Sequence, residues 1–341
     1  KMHRVCFIGS GNWGSATCRI AAQNCLAHPE MFHSQINMWV YEEEFEGQKL
    51  SQIINERHEN AKYLPGVKLP DNVIAVPSLK DAVKDADLLV FVVPHQFLSE
   101  RMFQSILGSC AARPQAISLI KGITFDENGP VLLSDVIKQR LGAECAVLMG
   151  ANIANDVVTD VFCETTIGCR DLDAGVVWKT LFDTATFRVH VVRDVAGPEL
   201  CGALKNIVAL AAGFCDGLGF GSSTKAAMMR LGLMEMKKFA TMFYEEVKTD
   251  TFFCSCGMAD LIATCYGGRN WKCAVVFAKT GESWDKIEAE VLKGQKLQGT
   301  TTLKEVMHIL EKRDLVSSFP FFTGLNKICF QGAAIQRFVA L

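Results

Sequence analysis

A single lysine interrupts a strongly apolar segment in the second half of the chain. Lys205 lies in ELCGALKNIVALAAGFC, residues 199–215, where most of the neighbouring side chains are aliphatic. A lysine in an apolar helix must pair with an acid, extend its stem to the surface, or bear the full cost of desolvation. A desolvated ammonium also releases its proton more readily, which suits it to proton transfer. The segment therefore indicates either a general acid, with Asn206 as a second polar group beside it, or a lysine that reaches the surface.

A second polar cluster occurs in ADLIATCYGGRN, residues 259–270. Asp260 and Thr264 are four residues apart, so on a helix they share one face. Two glycines then turn the chain and present Arg269 and Asn270. An arginine beside such a turn suits planar, bidentate capture of a phosphate or carboxylate, although a surface ion pair would use the same residues.

Three closely spaced glycines follow the first apolar run, in RVCFIGSGNWGSATCRIAA, residues 4–22. The spacing Gly9-x-Gly11-x-x-Gly14, between a strand and a helix, is the dinucleotide-binding fingerprint. The first glycine permits the tight turn, the second admits the pyrophosphate, and the third lets helix and strand pack closely. The helix N-terminus then offers N–H groups and a positive dipole to the phosphates. Because any tight strand-to-helix turn can use glycines, the motif needs support from the strands that follow.

That support comes from the ends of later strands. The second predicted strand ends in acid at Glu42, and two others end in polar turns that contain Phe97 and Lys121. Ligands of a doubly wound sheet bind at such strand ends. An acidic end favours the free ribose hydroxyls of NAD and repels the extra phosphate of NADP. For Glu43 and Glu44, an exposed acidic loop is an equally good interpretation.

The elements that must position these residues alternate in the first half of the chain. Apolar runs without a polar face are typical of parallel strands that are covered on both sides. We predict strands at 4–8, 36–41, 87–93, 116–120, 146–149, 164–169 and 187–192, with helices at 15–25 and 45–57. Helices are predicted at 199–214, 226–248, 259–265, 273–279, 283–293, 303–312 and 326–331. The sequence therefore predicts a Rossmann-like doubly wound α/β domain over residues 1–193 and an all-α domain over residues 194–341.

Composition excludes several classes of function. The 341 residues are 49% hydrophobic and 21% charged, with a formal net charge of −2, which favours neither a nucleic-acid nor an anionic-membrane partner. No uninterrupted apolar run reaches membrane-spanning length, and the first apolar run is too short for a signal peptide. The 14 cysteines are scattered among apolar residues, as expected of reduced thiols in the cytosol. The closest pair, Cys254 and Cys256, has no second pair at metal-ligand spacing, so we expect no metal site.

Taken together, the quoted motifs resemble those of the eukaryotic, cytosolic NAD-dependent glycerol-3-phosphate dehydrogenases. The segments that carry the resemblance cover nearly the whole chain. They are GSGNWGSA (9–16), HENAKYLPG (58–66), DADLLVFVVPHQF (85–97), SLIKGI (118–123), VLMGANIA (147–154), FCETTIG (162–168), CGALKNIVA (201–209), GFCDGLGFG (213–221), RLGLMEM (230–236), ADLIATCYGGRN (259–270) and KGQKLQG (293–299). The chain departs from the family pattern at Ser222-Ser223, Trp271 and Tyr41, none of which removes a predicted catalytic group.

The resemblance implies a role for each residue of the candidate site. Residues implied to contact NAD are Gly9, Ser10, Gly11, Asn12, Trp13, Gly14, Tyr41, Phe97, Ala154, Arg269, Lys296 and Gln298. Lys121 and Lys205 are implied to flank the reacting oxygen, with Lys205 as the general acid and base. Asn206, Asp260 and Thr264 would orient Lys205 and the substrate, while Arg269 and Asn270 would hold the substrate phosphate.

The implied reaction is the reversible reduction of dihydroxyacetone phosphate to sn-glycerol 3-phosphate by NADH, in a cytoplasmic homodimer. Two alternatives stay open at this point: a related β-hydroxyacid dehydrogenase, and a regulatory paralogue that senses NADH. Tyr244 and Lys248 have the Tyr-x-x-x-Lys spacing of short-chain dehydrogenases, but they lie in the second predicted domain. Leu231 stands near the position of the partner serine of those enzymes, so we reject that class.

Overall fold

The computed structural model describes residues 2–336, which divide into two compact units. The first unit comprises residues 2–122 and 132–195, and the second comprises residues 123–131 and 196–336. The chain therefore passes into the second unit for good after Val195. Residues 123–131 also belong to the second unit, which the sequence pattern did not predict.

The described strands are β1 His3–Ile8, β2 Phe32–Trp39, β3 Glu44–Phe45, β4 Gln48–Lys49, β5 Val73–Val76, β6 Leu88–Phe91, β7 Gln115–Ser118, β8 Thr124–Asp126, β9 Gly129–Val131, β10 Cys145–Met149, β11 Cys163–Gly168 and β12 Phe187–Val192. The described α-helices are α1 Asn12–Ala27, α2 Leu50–Arg57, α3 Leu79–Ala82, α4 Glu100–Leu107, α5 Leu133–Leu141, α6 Ala154–Val158, α7 Leu172–Phe182, α8 Ala196–Gly217, α9 Ser222–Phe243, α10 Asp260–Tyr266, α11 Gly268–Thr280, α12 Trp284–Val291, α13 Gln298–Lys312 and α14 Pro320–Phe330.

The first unit is built on one sheet of eight strands, in the order β12-β11-β10-β7-β6-β1-β2-β5. Every neighbouring pair is parallel except β10 and β11. Along β1, Phe7 packs into the apolar cluster on one face and Ile8 into the cluster on the other. Both faces are therefore covered, which explains why the buried strands are apolar without alternation. This architecture confirms the predicted doubly wound fold.

The register of the central strands places their carboxyl ends at one edge. Ile8 of β1 lies opposite Trp39 of β2 and Phe91 of β6, and Phe91 lies opposite Ser118 of β7. The residues that follow these strands therefore emerge side by side. The strand order reverses between β1 and β6, and a crevice at such a reversal is where ligands of this fold bind.

One predicted helix of the first unit begins later than the sequence indicated. The predicted range was 45–57, but α2 begins only at Leu50 because β3 and β4 form a short hairpin before it. Glu46 and Gly47 turn this hairpin with positive φ angles of 51° and 75°. The prediction missed β5 altogether.

The core of the second unit is α8, which packs against α9, α10, α11 and α13. It is buried along its length except at Asn206 and the last two residues. By length and composition it is the one described helix apolar enough to cross a membrane, and 83% of its most apolar window is buried inside the protein. Gly213 allows α11 to approach closely, since a Cβ there would lie 2.5 Å from the Cβ of Ala274. The predicted helical character of this region is confirmed.

The hairpin of β8 and β9 belongs to the second unit because its backbone is bound there. Tyr244 donates its hydroxyl proton to the carbonyl of Pro130 at 3.0 Å, and Lys312 donates to the carbonyl of Glu127 at 2.8 Å. Gly129, with a φ of 147°, lies under the ring of Phe243, where a Cβ would come within 2.6 Å of a ring carbon. These partners are more than 100 residues away along the chain, so no local pattern reports them.

Candidate active site

The glycine turn of the first unit has the geometry that its spacing predicts. Gly9 has a φ of 123°, and a Cβ on it would lie 3.0 Å from the backbone of Val92. A Cβ on Gly14 would lie 2.8 Å from the carbonyl oxygen of Gly9. Both positions therefore require glycine for the turn and for close packing of helix and strand. A Cβ on Gly11 would meet no atom within 4 Å, so open space lies over the middle of the turn.

That open space lies at the N-terminus of α1. Gly11 is the N-cap residue, and no side chain among the described residues caps this helix. The N–H groups of the first turn, which no helix can satisfy internally, and the positive end of the helix dipole are thus left for a ligand. A pyrophosphate is the anion that such a cradle fits in this fold. The residues present therefore fit NAD.

Within the first unit, the other residues implied to bind NAD lie at the same edge of the sheet as the glycine turn, and so does Lys121. Tyr41 follows β2 and is 68% exposed, and Phe97 lies in a 3₁₀ turn after β6 and is 48% exposed. Ala154 begins α6 after β10. Lys121 follows β7 and is exposed. The structure brings together this part of the predicted set within the first unit.

The acidic residues after β2 are already bound by the protein. Glu42 accepts hydrogen bonds from the backbone N–H of Ser51 at 3.2 Å and from its hydroxyl at 2.5 Å. Glu43 pairs with Lys62 and accepts a hydrogen bond from the Tyr63 hydroxyl at 2.7 Å. The hydrogen bond from Lys62 holds the pKa of Glu43 below its usual value. Each oxygen of Glu42 thus accepts one hydrogen bond from Ser51, which fixes the position of this negative charge at the edge of the sheet.

In the second unit, α8 and α10 form a buried ion pair. The Nζ of Lys205 lies 2.5 Å from Oδ1 of Asp260, and the two side chains are 8% and 5% exposed. Lys205 therefore does not extend to the surface, which settles the alternative that the sequence left open. The other carboxylate oxygen of Asp260, Oδ2, is buried and has no hydrogen-bond partner among the described residues. A buried polar atom without a partner in the chain needs one from outside it, such as a ligand or a water.

Backbone geometry before α10 sets the position of Asp260. Ser255–Ala259 form one turn of π-helix, a feature often found at functional sites. Gly257 is necessary there, because a Cβ on it would lie 2.3 Å from the carbonyl oxygen of Phe252. The hydroxyl of Thr264 donates to the backbone carbonyl of Asp260 at 2.6 Å. Thr264 therefore donates its proton within its own helix, and its hydroxyl oxygen keeps its acceptor capacity.

Arg269 and Asn270 begin α11, and the structure gives them different partners. Arg269 is exposed and donates from Nη1 to the amide oxygen of Gln295 at 2.8 Å. Asn270 is buried, donates to Oδ1 of Asn206 at 3.0 Å, and accepts from the N–H of Gly299 at 2.8 Å. Asn270 thus ties α8 to the start of α13, and one of its two N–H groups remains for a ligand. Sequence reasoning missed Gln295 and Gly299, since nothing local marks them as partners.

The segment before α13 carries the last two predicted residues. Lys296 pairs with Glu288 at 2.7 Å, and this hydrogen bond raises the pKa of the Lys296 ammonium. Glu288, only 6% exposed, also accepts from the N–H of Leu297 at 3.1 Å. Gln298 is exposed at the first position of α13. Glu288 was missed by sequence reasoning and fixes this segment on α12.

The cysteines of the described residues form no disulfide. All 14 are free thiols. Burial raises the pKa of Cys265, on α10 beside the ion pair, to about 12, so this thiol is a poor nucleophile at neutral pH. Within residues 2–336, no group of three or more His, Cys, Asp or Glu side chains is arranged to hold a metal ion.

Comparison with known proteins places both units in one enzyme class. Residues 4–175 match the family described as NAD-dependent glycerol-3-phosphate dehydrogenase N-terminus, and residues 194–340 match the corresponding C-terminus. The chain is 52% identical to the human cytoplasmic glycerol-3-phosphate dehydrogenase [NAD(+)], over 98% of this chain and 96% of that protein. It is also 52% identical to a glycerol-3-phosphate dehydrogenase 1-like protein from Xenopus tropicalis, over 99% and 96%. A solved structure of the glycerol-3-phosphate dehydrogenase from Saccharomyces cerevisiae superposes with a TM-score of 0.95 at 43% identity, covering 99% and 98% of the two chains.

Proposed function

The chain belongs to the family of NAD-dependent glycerol-3-phosphate dehydrogenases, and on that premise we propose that it interconverts dihydroxyacetone phosphate and sn-glycerol 3-phosphate. The observation that carries the proposal is the buried ion pair of Lys205 and Asp260. The Oδ2 atom of Asp260 in this pair has no hydrogen-bond partner among the described residues. Residues 1–193 would bind NAD, and residues 194–341 would bind the substrate and hold the proton donor. The cytoplasmic relatives support a cytoplasmic location, and we carry over the homodimer from the family resemblance.

In the proposed reaction the chain supplies position, charge and a proton. NADH, when bound, supplies the hydride that reduces the C2 carbonyl. Negative charge then develops on the carbonyl oxygen, and the Lys205 ammonium stabilises this charge and donates one proton to the oxygen. In the reverse direction the neutral amine of Lys205 accepts the hydroxyl proton while the hydride leaves C2. Asp260 holds the Nζ of Lys205 in place at 2.5 Å.

Other residues of the site position the substrate. Arg269 offers a planar guanidinium to the substrate phosphate, and Asn270 supports this end of the site with its remaining N–H. Asn206 holds Asn270 and stands next to Lys205 on α8. Thr264 steadies the backbone of Asp260. Lys121 would supply a second positive charge at the reacting oxygen.

The activity can be tested by following the oxidation of NADH through the loss of its absorbance. Dihydroxyacetone phosphate is compared with a panel of 2-oxo and 3-oxo acids. We expect turnover with the phosphate ester alone. Turnover of an oxo acid instead would indicate a β-hydroxyacid dehydrogenase, and NADH binding without turnover of any substrate would indicate a sensing paralogue.

The fixed charges after β2 predict the choice of cofactor. The extra phosphate of NADPH would face the carboxylates of Glu42 and Glu43, so we expect kcat/KM for NADH to exceed that for NADPH by at least about tenfold. Glu43→Gln removes one carboxylate and releases Lys62 from its ion pair. The ratio of kcat/KM for NADH to that for NADPH should therefore fall by up to about fivefold, the scale of one exposed ion pair. The matched control is Glu44→Gln, an exposed acid two residues from Glu42, which should leave the ratio unchanged. Equal use of both cofactors by the unmodified enzyme would contradict the prediction.

A further inference from the structure

A segment that precedes β5 connects two parts of the nucleotide site. Residues 58–66, here called the brace, follow α2 and begin at His58, whose φ of 49° turns the chain out of the helix. We propose that Asn60, within the brace, positions the glycine turn for the pyrophosphate of the dinucleotide. The inference rests on the NAD-binding role of this turn and is independent of the substrate.

Asn60 holds the carbonyl group in the middle of the glycine turn. Its side chain is completely buried and donates from Nδ2 to the carbonyl oxygen of Ser10 at 2.8 Å and to Oγ of Ser15 at 2.9 Å. Ser15 in turn donates its hydroxyl proton to the same carbonyl at 3.2 Å. The Oδ1 of Asn60 accepts from the N–H of Tyr63 at 3.2 Å, which fixes the amide within the brace. The amide nitrogen of Asn60 therefore serves the glycine turn, while its amide oxygen anchors the side chain within the brace.

The planarity of the peptide makes this contact relevant to the ligand. In a trans peptide the C=O of one residue and the N–H of the next point in opposite directions. Because the C=O of Ser10 is held toward Asn60, the N–H of Gly11 must point away from Asn60. Gly11 is also the position at which a Cβ would meet no atom within 4 Å. Asn60 therefore orients the N–H of Gly11 before the ligand binds, at the site where backbone N–H groups bind phosphate oxygens.

The brace is fixed at three further points. Asn12 donates its side-chain N–H to the carbonyl of Tyr63 at 2.8 Å. Leu64 packs in a small apolar cluster with Ala16 and Ala154. The side chains of residues 62 and 63 bind the carboxylate of Glu43, which follows β2. One segment therefore sets both the pyrophosphate turn and the strand end where the ribose binds in this fold.

Helix α1, which begins at the glycine turn, offers a matched control for the loss of a buried amide. Asn24, near the end of α1 away from the glycine turn, is 8% exposed and donates from Nδ2 to the carbonyls of Leu181 at 3.0 Å and Asp183 at 3.1 Å. Asn24→Ala removes two donated hydrogen bonds, as Asn60→Ala does, while Asn60→Ala also loses the one accepted from Tyr63. If burial and hydrogen bonding alone mattered, the two variants would behave alike.

The test measures dissociation constants by fluorescence titration, together with Tm, for the wild type and the variants. Asn60→Ala should weaken NADH binding by about 10-fold or more, the scale of one buried hydrogen bond. Its kcat at saturating NADH and its KM for dihydroxyacetone phosphate should stay within about twofold of wild type. Asn60→Asp should be worse, since its carboxylate has no proton for Ser10 and adds negative charge beside the pyrophosphate. Asn24→Ala should lower Tm but leave NADH binding unchanged.

Cofactor fragments separate positioning from a general loss of stability. ADP-ribose keeps the pyrophosphate, so Asn60→Ala should weaken it by the same factor as NADH, whereas adenosine monophosphate should be weakened less. Equal NADH binding by the wild type and both Asn60 variants would overturn the inference, as would an equal loss in Asn24→Ala. If Asn60→Ala does not fold, Asn60→Asp, which keeps the size of the side chain but has no donor, supplies the same comparison. Failure of the wild type itself to bind NADH would instead contradict the proposed function.

Discussion

Replacing Lys205 with alanine is expected to lower kcat for dihydroxyacetone phosphate by about 100-fold or more, the usual scale for a positioned general acid. The substitution removes both the proton and the positive charge that stabilises the developing oxyanion. NADH affinity should barely change, because the glycine turn and its helix are untouched. The variant should also unfold more easily, since breaking a buried ion pair and leaving Asp260 unpaired costs about 3–5 kcal/mol.

Lys225 provides the control that separates catalysis from stability. It is as buried as Lys205, with 5% of its side chain exposed, and pairs with Asp216 at 2.6 Å in the same unit. Lys225→Ala should therefore lower Tm, by less than Lys205→Ala because Asp216 is 30% exposed and keeps a hydrogen bond from the Trp271 indole, while keeping most of kcat. If Lys205→Ala retained more than half of the wild-type kcat, or if both variants lost activity equally, Lys205 would be structural.

Replacing Arg269 with alanine is expected to lower kcat/KM for dihydroxyacetone phosphate by about 10- to 150-fold or more, the range for a hydrogen bond to a charged group. The guanidinium is exposed, and the hydrogen bond described for it is to the neutral amide of Gln295, so its charge is available to a phosphate. The loss can exceed this range, because binding energy from the phosphate can be used to organise the site and raise kcat. Steady-state kinetics over a range of substrate concentrations measures the effect.

Two comparisons make this result specific to the phosphate. Dihydroxyacetone has no phosphate, so its already poor reduction should change much less in Arg269→Ala. Arg269→Lys should restore activity only in part, since an ammonium keeps the charge but lacks the planar fork. An equal loss with both substrates would assign Arg269 to the cofactor or to the fold.

The features that could be predicted from the sequence are those with local causes. The glycine spacing between a strand and a helix gave the turn, because Gly9 and Gly14 are required by contacts within a few residues or in the adjacent strand. The apolar runs gave the parallel sheet, and residues 187–192 were predicted with the bounds that β12 has. Lys205 was conspicuous because an ammonium among aliphatic side chains has few explanations.

The features that were missed depend on partners distant in the chain. Nothing in the sequence distinguishes Asn60 from other loop asparagines, because its partner Ser10 is 50 residues away along the chain. The sequence did not predict that the amide oxygen of Asn270 would accept from the N–H of Gly299. Glu42 follows β2, and its two oxygens each accept a hydrogen bond from Ser51, a partner that the sequence did not indicate. In each case residue type indicated hydrogen bonding, and only the tertiary structure determined the partner.

The most direct test of the proposed reaction follows the hydride itself. The enzyme is given dihydroxyacetone phosphate and NADH that carries deuterium at both C4 positions, and the product is analysed by mass spectrometry and NMR. We predict sn-glycerol 3-phosphate with one deuterium at C2, while its hydroxyl proton comes from Lys205 and exchanges with water. A product without deuterium at C2, or NADH oxidation with no glycerol 3-phosphate formed, would contradict the assignment.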